Sequence, residues 1–118
     1  MAQPQLPNYL LAHRKRLGLS QDEVAYLLGA ESGAKACRYE RFVREPGFCT
    51  TLACEAVFQR PIRNLFAGRY KQIEREVARR AQRLALKIAG MKPSHSTIRK
   101  RETLAKIAAP KRKKPQRP

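Results

Sequence analysis

The side chains that could do chemistry in this sequence are overwhelmingly cations: 26 Lys and Arg stand against 9 Asp and Glu, a formal charge of +17 over 118 residues. An excess of that size calls for an anionic partner, either nucleic acid or an acidic membrane surface, more than for simple solubility. Groups that make or break bonds are not arranged to do so. The acids form no convergent pair, no glycine-rich phosphate loop occurs, and no Ser, His and Asp set has a workable spacing, so an enzyme is not expected. Cys37, Cys49 and Cys54 form no CxxC pair, and neither His13 nor His95 lies near them in sequence. A zinc site needs well-placed ligands, so neither metal nor cofactor is expected, and the thiols read as reduced and partly buried. Four Phe, four Tyr and no Trp supply little material for a large pocket.

The chain has no apolar run long enough to span a bilayer. At the N-terminus a short apolar stretch precedes the charges, the reverse of a signal peptide's order. A cytoplasmic protein without membrane attachment is the expectation. Dividing the chain after Tyr70 separates two kinds of sequence. Residues 1–70 carry 10 basic and 6 acidic side chains, whereas residues 71–118 carry 16 and 3. The first part has an ordinary globular composition, and the second is a polybasic arm.

The elements of the first part follow from local signals. Residues 1–8, with two prolines and two glutamines, read as a flexible lead-in. Asn8 can cap a helix running to about Leu17, with Gly18 as its stop. Ser20 and Glu23 form a capping box, and Asp22 adds negative charge at the positive end of the helix dipole. The helix that follows turns Val24, Ala25, Leu27 and Leu28 inward and ends near Gly29. A third helix runs from Ser32 or Gly33 to Arg41, with Ala36 and either Tyr39 or Glu40 directed toward the body. Pro46 and Gly47 belong to a break. A fourth helix starts at Thr50 or Thr51 and carries Leu52, Ala56, Val57 and Phe58. Pro61 suits the first turn of a short fifth helix over residues 62–66. No segment reads as a strand.

Gln21, Ala25 and Gly29 fall at four-residue steps. A small residue at Ala25 lets the next helix cross closely, and Gly29 accommodates the joining turn. Arg14 and Lys15 precede Leu17, Gly18, Leu19, Ser20 and Gln21. Glu23, Val24, Ala25, Leu28 and Gly29 follow, then Arg38, Tyr39, Glu40 and Pro46, and the closing Pro61, Ile62, Arg63, Asn64, Leu65 and Phe66. In this order they resemble the helix-turn-helix family of phage Cro and lambda-type repressors, over about half the chain. Three features depart from the family pattern. The turn at residues 29–32 is one residue longer than usual, a core Ile or Val is replaced by Ala36, and Cys37 stands where a small polar residue is common.

The resemblance implies an all-α protein: a five-helix lambda-repressor-like DNA-binding domain at residues 9–68, followed by a long basic helix and a basic tail. It places Ser32, Gly33, Ala34, Lys35, Cys37, Arg38 and Arg41 on the face that enters the major groove. Of these, Lys35 and Arg38 can donate to guanine edges, and Ala34 can touch a thymine methyl. Gln21 would contact phosphate and support the reading helix. The helix starts at Gln21 and Ser32 would offer free amides to phosphate. Arg14, Lys15, Arg41 and Arg44 would clamp the backbone. Glu40 reads as structural, fixing the following loop through backbone amides.

In the second part, residues 69–90 form a long amphipathic basic helix, its uninterrupted helix-forming core running from Tyr70 to Ala89. Ile73, Val77, Ala81, Leu84 and Ile88 make an apolar seam, with Arg75, Arg79, Arg80, Arg83 and Lys87 on its flanks and back. The seam suits pairing with a second copy, with packing on the first domain and lying on an anionic membrane as the other uses. Residues 94–109 suggest a further short helix with Ile98, Leu104, Ile107 and Ala108 on one side, and residues 110–118 a disordered polybasic tail. The expected function is a dimeric, sequence-specific regulator of transcription on double-stranded DNA, most simply a repressor. The rival expectations are a protein that packs nucleic acid without reading it, and an antitoxin-like or adaptor protein whose long helix holds a protein partner.

Overall fold

How each helix begins shows most directly how this chain folds. A computed structural model describes residues 5–109, and among them it is all-α: seven helices and no strand. They are α1 (Leu10–Leu17), α2 (Gln21–Leu28), α3 (Gly33–Glu40), α4 (Phe48–Phe58), α5 (Ile62–Leu65), α6 (Ala67–Ala89) and α7 (His95–Ala108). The first amides of a helix have no partner inside it and must find one elsewhere. Six of the seven starts have a partner of this kind, and those of α3, α5 and α6 come from residues distant in sequence.

For α1, the Asn8 side chain accepts from the Leu10 amide at 3.1 Å and donates to the Tyr39 carbonyl at 3.0 Å, so one buried amide both caps α1 and ties it to the end of α3. At α2 the expected capping box is present: Ser20 Oγ accepts from the Glu23 amide, and Glu23 returns an acceptor to the Ser20 amide at 2.8 Å. That amide and the Ser20 hydroxyl hold the Glu23 carboxyl below its ordinary range. The Gly33 amide that opens α3 donates to Asp22 of α2, and the Ile62 amide of α5 donates to Glu55 of α4. For α6 the partners are backbone: the Gly68 and Arg69 amides donate to the carbonyls of Leu6 and Pro7. A second capping box, Ser94 with Thr97, opens α7.

These devices explain where boundaries depart from local expectation. Helix α6 starts at Ala67, three residues before Tyr70, because the segment around residues 6–7 satisfies its first amides. Residues 5–8 are accordingly not a loose lead-in. The Tyr9 amide also bonds the Leu65 carbonyl at 2.7 Å, and a Cβ at position 68 would fall onto the Leu6 carbonyl oxygen, so only glycine permits this approach. Helix α4 starts at Phe48, two residues early, after Gly47 in an extended conformation, with the Thr51 hydroxyl donating to the Gly47 carbonyl. Gly18 and Gly29 end α1 and α2 in the left-handed region, as their positions implied. The end of α3 uses the same geometry without glycine. Phe42 takes φ 64° while the Val43 amide reaches back to the Arg38 carbonyl at 3.0 Å.

The chain divides into two compact units, Met1–Lys71 and Gln72–Pro118. The core of the first is Leu10, Val24, Ala25, Ala36, Tyr39, Cys54, Phe58 and Leu65, lined by Leu19, Leu28, Val57 and Phe66. Ala36 and Tyr39 are both buried in this core. On α4 the inward residues are Cys54 and Phe58, while Leu52 is exposed. Burial pushes the Cys54 thiol up to about 11, which leaves it protonated and inert at neutral pH.

The core of the second unit is smaller: Ala81 and Ile88 of α6 pack on Leu104 of α7, with Ala85 and Ala108 beside them. Part of the apolar seam of the long helix is therefore covered by the chain's own α7. On α7, Thr97 and Leu104 face inward, while Ile98 and Ile107 are exposed. The polybasic tail at residues 110–118 lies outside the described residues. Among the described residues no helix is long and apolar enough to cross a membrane.

Candidate nucleic-acid interface

Helices α2 and α3 share the most extensive contact between any two helices of the first unit. Small residues make this possible. Ala25 and Ala36 are buried, and a Cβ at position 33 would collide with the Asp22 carboxylate, so Gly33 lets the first turn of α2 lie against the start of α3. The Gly33 amide donates to Asp22 Oδ1 at 3.1 Å. This carboxylate sits where a phosphate was expected, so the start of α3 is not a vacant anion site.

The far end of α3 is fixed by a buried polar knot. Glu40 accepts from Arg14 Nε at 2.5 Å and Arg14 Nη2 at 3.3 Å, and from Gln21 Nε2 at 3.1 Å, while Arg14 Nη1 donates to the Leu19 carbonyl. The side chains of Arg14 and Glu40 are 13% and 5% exposed. One carboxylate thus fastens α3 to α1 and α2 together. Glu40 is structural, but it acts through two side chains and not through the amides of the following loop. Arg14, expected as a backbone clamp, is turned inward as a strut. Gln21 supports α3 as expected, with its amide nitrogen directed at Glu40.

With Gly33, Ala36, Tyr39 and Glu40 turned inward, the opposite side of α3 is left to solvent. Ala34, Arg38 and Arg41 follow one another by four and three residues on that outer face and are all exposed. Lys35 and Cys37 flank them half-buried, and Ser32 is exposed at the N-cap without a side-chain cap bond. Arg38 makes no ion pair among the described residues, and Lys15 and Arg44 are exposed as well. The structure therefore brings Ala34, Lys35, Cys37, Arg38 and Arg41 onto one surface and withdraws Gly33 and Arg14 from it. Sequence reasoning missed Asp22 as the partner of α3. The available signal was a glycine immediately after an N-cap serine, with an acid in the first turn of the preceding helix.

Of the five seam residues of α6, Ile73, Val77 and Leu84 remain exposed at 45%, 42% and 47%, whereas Ala81 and Ile88 are buried under α7. Among the described residues no group of His, Cys, Asp and Glu is placed to hold a metal ion. Comparison with protein-family models, curated proteins and solved structures gave no match.

One titration belongs to this unit's stability. His13 stacks in a tilted arrangement against Phe58 and lies within 2.8 Å of Arg16 Nη2. Burial first, then the charges of Arg16 and Arg60, hold its pKa below 6.5. A folded-state pKa depressed below the unfolded value favours the neutral ring, so stability is fully present above 6.5 and is lost as pH falls below it. Urea midpoints measured at about pH 7.5 and pH 5.5 should therefore drop further for the native chain than for His13→Gln. Equal drops would remove His13 from the account.

Proposed function

We propose that the first unit is a lambda-repressor-like helix-turn-helix domain that reads double-stranded DNA, and that the protein represses transcription as a dimer. In this reading α2 braces α3, and the outer face of α3 lies in the major groove. The observation that carries it is the contrast between the two sides of α3. One is locked by Asn8, Asp22 and the Arg14–Gln21–Glu40 knot, and the other presents Ala34, Arg38 and Arg41 unobstructed. A rigidly held helix with a polar, cationic outer face has the properties that base reading requires, because specificity depends on fixed donor positions. The carboxylate at Gly33 moves the footprint toward the C-terminal half of α3, with Lys15 and Arg44 as phosphate contacts.

Ile73, Val77 and Leu84 share one face of α6, and they are the residues of the seam left for a second copy. A dimer would double the small footprint of one such domain and favour a palindromic site.

Selection of duplexes from a random pool at physiological salt tests the reading. The native chain should enrich a two-fold symmetric motif. The R38A variant should lose preference at one or two positions of each half-site, a discrimination of about 1–3 kcal/mol per contacted base pair. No enrichment, or the same motif with R38A, would sink this assignment.

A further inference from the structure

We propose that the back of α6 is a second nucleic-acid surface, which grips the phosphate backbone of a duplex without reading bases. This goes beyond the reading of α3 and shares with it only the class of partner. Residues 72–109 carry ten basic and three acidic side chains, so the second unit is strongly cationic even without the tail. The charge is ordered. Arg79, Arg83 and Lys87 follow at four-residue steps and therefore stand one above the next, spread over about 12 Å of helix. All three are exposed, as is the flanking Arg80, and none of their side chains makes an ion pair or hydrogen bond among the described residues.

A row of like charges at this spacing opposes helix formation. Only Glu76, three and four residues before Arg79 and Arg80, relieves it along this stretch. A polyanion laid along the row would remove the repulsion and release its own counterions. A B-form duplex, with one charge per about 1.7 Å of axis, presents several phosphates to a row of that length. Three of the four exposed cations are arginines, whose planar fork suits phosphate oxygens.

The favoured partner is a duplex and not a lipid surface because of where the apolar side of this helix goes. A helix lying on a membrane needs that side free to enter the acyl boundary. Here Ala81 and Ile88, opposite the cationic row, are buried under Leu104 and Ala108 of α7, which leaves only Ile73, Val77 and Leu84 of that side open, short of the continuous apolar stripe that such insertion uses.

The test uses the full chain and the triple variant R79A/R83A/K87A. Alanine at exposed helix positions keeps helix propensity high, and circular dichroism checks that helicity is retained. Binding to a mixed-sequence duplex of about 30 base pairs is measured from 50 to 200 mM salt. The slope of log affinity against log salt should fall by about 2.7, which makes the native chain's loss over that range about 40-fold steeper than the variant's. Any motif enriched through α3 should be unchanged.

A reduced slope without any enriched motif leaves this proposal standing and removes the reading of α3. An enriched motif with an unaltered slope does the reverse. The proposal is also overturned if phosphatidylserine vesicles bind the native chain more tightly than the duplex and the triple variant releases only the vesicles.

Discussion

Glu40→Ala should destabilise the first unit by about 3–5 kcal/mol, because it leaves the inward-facing Arg14 guanidinium without its counter-charge. Against a typical domain stability of about 5–15 kcal/mol, a loss of that size removes a substantial share of the total. The damage lies less in the lost attraction than in what is stranded. Arg14 keeps one bond to the Leu19 carbonyl, and Gln21 loses its acceptor.

The same physics predicts non-additivity. The double variant R14M/E40L removes both charges and fills the space with apolar atoms, and it should lose less than E40A alone. The chain has two units, so the readout must belong to the first. The Cys54 thiol is buried in its core, and its alkylation rate in mild urea reports opening there. Alkylation in E40A no faster than in the native chain would show that the knot contributes little.

The second large effect is expected at Leu65, which is 0% exposed and is one of the two largest fully buried side chains. Leu65→Ala should cost about 2–5 kcal/mol, the transfer of the lost carbons plus the cavity they leave. Position 65 concentrates the damage because its carbonyl accepts the Tyr9 amide, and the next residues open α6 against Leu6 and Pro7. A cavity there loosens the point where α5, the entry to α1 and the start of α6 meet. Leu65→Met conserves volume and should cost under about 1.5 kcal/mol. Equal urea midpoints for the two variants would mean that packing at this site is not what holds the junction.

What the sequence made legible was whatever is settled within a few residues. The Ser20–Glu23 box, the stops at Gly18 and Gly29, and the inward positions of Val24, Ala25 and Ala36 depend on spacings of three and four. Glu40 shows the limit. Its partners lie 26 and 19 residues away, and each of the three side chains looks like ordinary surface until the helices are docked. The early start of α6 was hidden for the same reason, since its cap is backbone from residues 6 and 7 and leaves no trace in side-chain type. On α6, periodicity located the seam of Ile73, Val77, Ala81, Leu84 and Ile88, but only the fold shows that α7 covers two of the five. The outer face of α3 was legible as a face. The inward turn of Arg14 and Gly33, away from that face, was not.

The polar knot also bears on how the first unit moves. A carboxylate that needs partners from α1 and α2 at once gains little from a state in which only one of them is docked, and there it would sit desolvated and half-paired. Intermediate openings are therefore raised in energy relative to both the closed form and the fully separated chain. Helix α3 has no inexpensive route by which to swing away from α2 alone. The unit should breathe as a single cooperative body, with amide exchange in α1, α2 and α3 governed by one common opening.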